Sequence, residues 1–397
     1  MAFVAFVCAC SSTPQIFGPV YDSGPWAGGD AAPDATDAAT SSDVVTEAQG
    51  DGSTCTSVLA LVGGSSTTLF GAGGPATSTL SAATIVGTLA DCGTNFGCAN
   101  PAAIIPLGGG FLAAFATSSG TLESATFQTS WSSPAAIAAA ATIDGPWLTA
   151  IGTTGHLLYQ GTDYKFYHGQ YASSAWDSAS DPVGGAGANQ SYGVRGPVVA
   201  TASGDLVALQ AGSNSYLYDQ TWSGSWQAAV EQGGAAIQDT LPPTIIALTG
   251  GTSELLAAYL RNGDYKVMAV ARTGGMWNVS PTLVDPNAFS NDPVVLAPLP
   301  NGGALLVFRG SDQTPYFCTW DGVSTWTTAA PIVPTNNPTI AALPSVAAGV
   351  CGAEAFVAFA TSSGVEIAAF AGGVFGPPVV VTGTTGAKFV AISTSPE

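Results

Sequence analysis

Residues 308–326, FRGSDQTPYFCTWDGVSTW, concentrate charged and aromatic side chains in a chain of which only 8% is charged. Arg309 and Asp312 offer hydrogen-bonding groups, whereas Trp320 and Trp326 offer apolar ring faces. Charged groups bind hydroxyls strongly, and indole rings pack on apolar surfaces. The stretch therefore predicts either a site for a ligand with both kinds of surface or a turn and packing motif of the fold.

Similar combinations recur in YQGTDYKFYHGQYASSAW at 159–176, SYLYDQTWSGSW at 215–226 and YLRNGDYKVMAVARTGGMW at 259–277. Candidate ligand-binding residues share a place at a turn or next to a hairpin: Arg261, Asp264, Arg309, Asp312, Trp222, Trp226, Trp277, Trp320 and Trp326. Two structural alternatives stay open. The tryptophans can serve packing, and the pairs Arg261 with Asp264 and Arg309 with Asp312 can stabilise turns.

The elements that carry these residues repeat every 45–51 residues. Segments that begin with Pro and continue with Val, Ile or Leu and Ala start at 101, 146, 197, 243, 293 and 338. An aromatic residue opens the last strand of each repeat, at Trp131, Trp176, Trp226, Trp277, Trp326 and Phe375. Each repeat is long enough for four short strands, which is typical of a β-propeller blade.

The composition favours an all-β fold, because 50 Gly and 26 Pro are spread along the 397 residues. Six complete repeats fill residues 101 to about 385, and AKFVAIST at 387–394 resembles a first strand. The segments between 57 and 89 resemble second, third and fourth strands. The sequence therefore predicts a seven-bladed β-propeller of four-stranded antiparallel blades, closed by the C-terminal strand and the N-terminal strands, which removes open sheet edges. Ala135–Ala141, AAIAAAA, is a strand in this register although its propensity is helical.

Net charge excludes some partners. The formal charge of −19 disfavours nucleic acid and anionic lipid surfaces, which are bound by clustered Lys and Arg.

The N-terminal sequence predicts the cellular location of the protein. MAFVAFVCAC at 1–10 is similar to the end of a lipoprotein signal peptide, with Cys10 as the lipidation site. The segment differs from a complete signal peptide because it has no basic residues before the apolar stretch. Residues 11–55 are acidic, rich in Ala, Asp and Pro, and predict a disordered tether. We expect residues 56–397 to form the propeller, held at the outer membrane or cell surface only through the lipid anchor.

Cysteine use is consistent with an oxidising compartment. Cys318 lies in the strand-like segment YFCTW, so we expect it to be free and buried. Cys55, Cys92, Cys98 and Cys351 can form two disulfides in three possible pairings. In the propeller register, Cys55 and Cys351 precede second strands of adjacent blades and can bridge across the closure, while Cys92 and Cys98 can form a bridge within one loop.

The repeats resemble a known family. A strand ending in Arg or Gln, then Gly-x-Asp, a Tyr/Phe strand and Trp-(x)-Gly-x-x-Trp is similar to blades of fucose-binding lectin propellers and, more loosely, of sialidase-like propellers. The resemblance extends over three to four blades, and no repeat holds an intact sialidase Asp box. It implies glycan sites between blades, formed by aromatic, Arg and acidic side chains.

Catalytic residues do not emerge from the sequence. His156 and His168 occupy ordinary strand positions, and no hydrolase, phosphate-binding or metal motif is present. We therefore expect a monomeric, non-enzymatic, surface-displayed protein that binds glycans or cell-surface components without a cofactor or metal. A sialidase-like or other glycan-active hydrolase and a protein-interaction scaffold are the alternatives.

Overall fold

The described part of the chain, in a computed structural model, consists almost entirely of β-strands. It comprises residues 58–63, 68–74, 84–88, 102–117, 119–163, 165–179, 181–183, 192–212, 214–238, 241–332, 340, 345–348, 355–387 and 389–394. The predicted signal segment 1–10, the tether 11–55 and Cys10, Cys55, Cys92, Cys98 and Cys351 lie outside these residues. Within them, a 3-10 turn at Pro300–Gly302 is the one helical element, and no helix is long and apolar enough to cross a membrane.

The strands fall into repeats that we label A to G in chain order. Repeat A has β1 (Val58–Gly63), β2 (Thr68–Gly74) and β3 (Thr84–Thr88). Repeats B and C have β4 (Ala102–Leu107), β5 (Gly110–Ala116), β6 (Thr121–Phe127), the shared β7 (Ala135–Ile151), β8 (Thr154–Gly161), β9 (Phe166–Ala172), β10 (Ala175–Trp176) and β11 (Asp181–Pro182). Repeat D has β12 (Tyr192–Ala200), β13 (Leu206–Gly212), β14 (Tyr216–Trp222) and β15 (Val230–Ala236).

The second half of the chain continues the pattern. Repeat E has β16 (Thr244–Ala247), β17 (Leu255–Leu260), β18 (Val267–Thr273), β19 (Met276–Trp277) and β20 (Thr282–Leu283). Repeat F has β21 (Val295–Pro298), β22 (Ala304–Arg309), β23 (Pro315–Trp320) and β24 (Ala330–Pro331). Repeat G has β25 (Ser345–Ala348), β26 (Ala355–Thr361), β27 (Gly364–Ala371), β28 (Val374–Phe375) and β29 (Val379–Val381), and β30 (Phe389–Thr394) ends the described chain.

In repeats B to G the first four strands pair antiparallel in chain order, and the extra short strands β11, β20 and β29 each pair with the third strand of their repeat. Repeat A is completed by β30, which pairs with β1 from Val58↔Thr394 to Gly63↔Phe389. The strand order β30-β1-β2-β3 is the one that the sequence predicts for the terminal segments. Repeat A therefore joins residues from both ends of the described chain in one sheet.

The long strand β7 joins repeats B and C into one eight-stranded sheet. Its first part pairs with β6 from Ser124↔Ala135 to Thr121↔Ala141. Its second part pairs with β8 from Thr142↔Gly161 to Ile151↔Thr154. The Ala-rich segment is therefore a strand, as predicted from its register, because its pairing with β6 outweighs its helical propensity.

One predicted boundary is wrong. The first strand of repeat G is Ser345–Ala348, whereas the sequence pattern placed it at 338. Ile340 instead forms an isolated bridge with Thr361, much as Ile237 does with Arg261 in the repeat D–E connection. Two Pro-initiated segments follow one another in this region, and the one nearer to the second strand pairs with it.

The core lies between successive repeats. Second strands such as β13, β17 and β26 are buried along their whole length, because a neighbouring sheet covers each of their faces. The hydrophobic clusters accordingly combine residues of adjacent repeats, for example Leu306 and Phe308 of repeat F with Leu256 and Val267 of repeat E. This stacking fixes the faces that meet between repeats.

First strands contact one another from repeat to repeat. Strand β4 contacts β30 and β7, β12 contacts β7 and β16, and β21 contacts β16 and β25. Strand β25 in turn contacts β30. All described residues belong to one compact unit, Gly50–Glu397.

Candidate functional site

The hairpin between the third and fourth strands places an aromatic residue at the same point of every repeat from B to G. The cross-strand pairs are Phe127 with Trp131, Tyr171 with Trp176, Trp222 with Trp226, Arg272 with Trp277, Trp320 with Trp326 and Phe370 with Phe375. The predicted position of the fourth-strand aromatic residue is therefore confirmed. In repeat E, an arginine replaces the first ring of the pair.

These hairpins contact the third strand of the preceding repeat. The residue three positions before the hairpin pair makes the contact: Trp176 Nε1 donates to the Ser124 hydroxyl over 2.8 Å, and His168 meets the ring of Trp226 at 5.5 Å. Phe317 meets Phe375 at 4.9 Å. One position of the repeat thus decides the chemistry of each interface.

At the interface of repeats C and D, this position holds a histidine that pairs with a second histidine. His156 Nδ1 and His168 Nε2 are 3.0 Å apart and both side chains are buried. Their rings stack at 5.2 Å, and Trp222 lies 5.3 Å from His156. Burial, and for His156 also the neighbouring His168, lowers both pKa values to about 4, although Asp177 acts to raise them. The pair is therefore neutral at pH 7, and each ring supplies the other with a hydrogen-bond partner.

At the interface of repeats D and E, the same position holds Asp219, which is buried and faces Trp277 and Arg272. Desolvation raises the pKa of Asp219, while Trp277, Gln232 and Arg272 act to lower it. Gln232 Nε2 donates a short hydrogen bond to Asp219 Oδ1. The interface thus combines a carboxylate, a guanidinium and an indole.

Two donors in this cluster are poorly used, although Trp277 lies near enough to Asp219 to lower its pKa. Trp277 is only 9% exposed, and neither its Nε1 nor Nε of Arg272 makes a well-formed hydrogen bond to a described residue. Arg272 Nε lies 3.8 Å from Glu254 Oε1, whose own partner is the Gly275 N–H at 2.6 Å. Buried donors without a well-formed hydrogen bond are rare, so this cluster can donate further hydrogen bonds. We call Asp219, Arg272, Trp277, Gln232 and Glu254 the D–E cluster.

Trp320 and Trp326 both take part in core packing, and neither is an exposed residue. Trp320 is buried in the core between repeats E and F, and Trp326 packs against that core. Their rings stack at 6.3 Å with an interplanar angle of 28°. Ala269 takes the interface position in repeat E, so no polar group accompanies this pair in the way that Asp219 accompanies Trp277.

The turn between the second and third strands holds the predicted Arg and Asp residues. Arg261 makes two hydrogen bonds to Asp264, which also accepts the Lys266 N–H at 3.3 Å. This pair is half-exposed and fits the turn-stabilising alternative, because the hydrogen bonds hold the turn. Its carboxylate pKa is lowered, chiefly by Arg261.

Asp312 belongs to a turn motif of the form Gly-x-(Asp/Asn)-x-x-x-Tyr. It accepts hydrogen bonds from Thr314 N–H at 3.0 Å and from the Tyr316 hydroxyl at 2.9 Å. Asp163 with Tyr167 and Asn214 with Tyr218 repeat the side-chain contact at 2.8 Å each. A Cβ at Gly310 would lie 2.7 Å from the Tyr316 ring, which explains the glycine.

The expected pairing of Arg309 with Asp312 is wrong. Arg309 Nε lies 2.6 Å from Asp292 Oδ2 instead, and its Nη1 reaches the Ile340 carbonyl at 3.5 Å. The oxygens of Asp312 are already used by Thr314 and Tyr316 within the turn. Arg309 therefore ties together the connections that flank repeat F.

The predicted residues of each repeat do not form one site. Strand β23 separates Asp312 from Trp320, and an extended strand rises about 3.3 Å per residue, so the two lie on the order of 20 Å apart. By the same geometry, β18 separates Arg261 and Asp264 from Trp277. The turn residues and the hairpin tryptophans are consequently at opposite ends of the sheets.

Sequence reasoning missed Asp219, Arg272 and the contact between the two histidines. Asp219, His168 and Ser124 share the position three residues before the hairpin pair, a signal that appears once repeats are aligned on that pair. Cys318 is free and buried, as expected, and burial raises its thiol pKa to about 12. Among the described residues, no group of three or more His, Cys, Asp or Glu side chains is placed to hold a metal ion.

Comparisons with known proteins show the fold. No protein-family model matches the sequence, and no curated protein matches it. The BP39L lectin from Burkholderia pseudomallei is 16% identical, with a TM-score of 0.60 over 82% of this chain and 95% of that one. AofleA from Arthrobotrys oligospora is 13% identical, with a TM-score of 0.51 over 76% of this chain and 92% of that one. The fucose-specific lectin from Aleuria aurantia is 15% identical, with a TM-score of 0.49 over 72% and 97% of the two chains. The likenesses to BP39L and AofleA, whose TM-scores exceed 0.5, show that the chain has the β-propeller type of fold.

Proposed function

We propose that the protein is a non-enzymatic glycan-binding propeller and that the D–E cluster is a binding site. The observation that carries the proposal is the buried carboxylate of Asp219 beside the Trp277 indole and the Arg272 guanidinium, because neither Trp277 Nε1 nor Arg272 Nε makes a well-formed hydrogen bond within the described chain. Sugar hydroxyls both donate and accept, so one hydroxyl can satisfy the acid and a donor together.

The exposure of the outer side chains of the D–E cluster supports entry of a ligand from solvent. Glu254 is 41% exposed and Gln232 is half-buried, whereas Asp219 and Trp277 lie deeper. A hydroxyl group that enters between these side chains replaces the water that a polar cavity otherwise holds. The lectin fold of the structural relatives supports the same assignment by analogy of architecture.

For the architecture, we infer seven blades closed into a ring. Seven sets of four strands paired in order support this count, with β7 serving two sets and β30 completing repeat A. The contacts of β30 with both β4 and β25 support the closure, because they link the first strands in a complete cycle. Closure of this kind leaves no first strand at an open end of the stack.

The N-terminal sequence supports a proposal on location. Lipidation at Cys10 and the acidic tether 11–55 would hold a monomeric propeller at the outer membrane or cell surface. Metabolic labelling with a fatty-acid analogue tests this, and labelling that persists in Cys10→Ala contradicts it.

A glycan array tests the function. The full chain is applied beside Arg272→Gln and beside Arg261→Gln, which changes an arginine in the turn that precedes β18, the strand of Arg272. We expect saturable binding to specific glycans that Arg272→Gln weakens about tenfold and Arg261→Gln leaves unchanged. Binding that both variants retain would place the site elsewhere.

The scaffold alternative has one observation in its favour. Met276, Val323 and Val374 lie in the third-to-fourth-strand hairpins of repeats E, F and G with 74%, 74% and 67% exposure. Exposed apolar groups of this kind occur in protein-binding surfaces. An array without any bound glycan, together with folded protein, would favour the scaffold over the lectin.

A further inference from the structure

A second concave site lies at the other end of the sheets, between repeats E and F. It is a cleft of about 250 Å³ lined by Asn287, Phe289, Phe308, Gly310, Ser311, Asp312, Tyr316 and Ala329. Asp312 places it at the second-to-third-strand turn, so β18 and β23 separate it from the hairpin tryptophans. It is therefore independent of the D–E cluster.

Aromatic rings form much of the wall. Phe308 and Tyr316 stack at 5.7 Å with an interplanar angle of 18°, which holds both rings in place. Phe289, on the connection from repeat E, is 43% exposed although it is a large apolar side chain. Its backbone is held by a bridge to Lys266. An aromatic ring that is fixed through its backbone and open to solvent provides a ready contact surface.

The charge in the cleft is negative. Asp312 is its one ionisable acid, and none of the lining residues is a lysine or arginine. Desolvation acts to raise the pKa of Asp312, but the hydrogen bonds from Thr314 and Tyr316 outweigh it and leave that pKa below its usual value. The carboxylate is consequently ionised at neutral pH. The nearby Arg309 is already engaged by Asp292.

We propose that this cleft binds a small organic cation of the alkylammonium class. The Asp312 carboxylate supplies the counter-charge, and the face of Phe289 attracts the cationic methyl or methylene groups through the ring quadrupole. Asn287 and Ser311 can receive a hydroxyl or amide carried by the same ligand. A neutral molecule of the same shape gains the apolar contact but not the electrostatic attraction.

The test compares choline with 3,3-dimethyl-1-butanol, which has the same shape without the charge, by isothermal titration calorimetry on the full chain. We expect choline to bind with a millimolar dissociation constant and the neutral alcohol at least about tenfold more weakly. Equal affinity for the two probes, or no heat of binding with choline, would overturn the proposal.

Variants locate the site. Asp312→Asn removes the charge but keeps the turn, because Asn214 occupies the equivalent position in repeat D, where its amide Nδ2 donates to the Tyr218 hydroxyl. We expect Asp312→Asn and Phe289→Ala each to weaken choline binding about tenfold. Asp163→Asn, the same change in the equivalent turn of repeat C, should leave it unaltered. Loss of affinity in Asp163→Asn, or none in Asp312→Asn, would show nonspecific attraction to the acidic chain instead. The choline result does not depend on the proposed glycan site, so an array on which no glycan is bound would not affect it.

Discussion

The C–D and D–E interfaces use one register position for two kinds of chemistry. His168 and Asp219 occupy equivalent places, and each faces the hairpin tryptophan of the next repeat, Trp226 or Trp277. His168 is paired with His156 but leaves Trp226 Nε1 without a hydrogen bond to any described residue, whereas Asp219 places a carboxylate beside Trp277 and Arg272. The neutral interface stabilises the fold, and the one that contains a buried carboxylate and a guanidinium can bind a polar ligand. The same backbone therefore supports either role.

The largest expected effect comes from replacing the hairpin tryptophans, which tests whether one interface serves stability alone and the other also serves binding. Trp226→Ala and Trp277→Ala should each lower the free energy of unfolding by about 3–5 kcal/mol, because both rings are buried between repeats. Only Trp277→Ala should also abolish glycan binding. Urea unfolding and the array are measured on the same preparations. Loss of glycan binding in Trp226→Ala, measured at a temperature where this variant is folded, would contradict the proposed difference between the C–D and D–E interfaces.

A pH titration gives the next largest effect. The folded state lowers the pKa of each histidine from 6.5 to about 4, so the unfolded chain binds more protons between these values. Stability is complete above pH 6.5 and falls as the pH drops towards 4, by roughly 3 kcal/mol for one histidine.

Asp219 responds with the opposite sign, because a raised carboxyl pKa stabilises the fold at low pH and less so as the pH rises. Thermal melts at pH 7 and 4.5 should thus show a smaller difference in His156→Gln/His168→Gln than in the wild type. An equal pH dependence in both proteins would mean that the histidine pair does not control it.

A more moderate effect is expected from Asp219→Asn. Affinity for the best glycan should fall about tenfold, since an amide is a weaker acceptor than a carboxylate. Stability should change little, because the substitution also removes the cost of burying a charge. Titration of the glycan and a urea curve measure the two quantities, with Asp264→Asn as the exposed control. An affinity unchanged by Asp219→Asn would remove the acid from the site.

The smallest effect on stability is expected at the B–C interface, where Ser124 occupies the position that His168 and Asp219 hold in the other two interfaces and accepts a hydrogen bond. Ser124→Ala removes the acceptor of Trp176 Nε1 and should cost about 1 kcal/mol of unfolding free energy. Glycan binding should not respond. A shift in the urea midpoint much larger than this would indicate that the serine hydroxyl organises more of the interface than its one bond to Trp176.

Much of the fold could be predicted because periodicity is a property of the sequence. The aromatic residue of each fourth strand, from Trp131 to Phe375, lies where the repeat length puts it. The strand assignment of Ala135–Ala141 likewise follows from register. The misplaced first strand of repeat G shows the limit, since two similar Pro-initiated segments differ only in which one meets a partner strand.

The site could not be predicted to the same degree. Which side chains meet across an interface depends on how two sheets pack about 10 Å apart, and no local pattern encodes this. Arg309 illustrates the point, because Asp312 is near in sequence but its oxygens are taken, and Asp292 becomes the partner. Asp219 carries no motif of its own and gains meaning only opposite Trp277.

Strand β7 has a consequence for how the protein unfolds. Because one uninterrupted strand belongs to both repeats B and C, neither can open without breaking backbone hydrogen bonds of the other. Elsewhere in the described chain, adjoining repeats meet mainly through side chains with a few backbone hydrogen bonds, such as that from the Asn262 N–H to the Ala236 carbonyl, which permits them to fray one at a time. Repeats B and C should therefore exchange their amide protons as a single cooperative block, and a chain cut within β7 would lose two repeats rather than one.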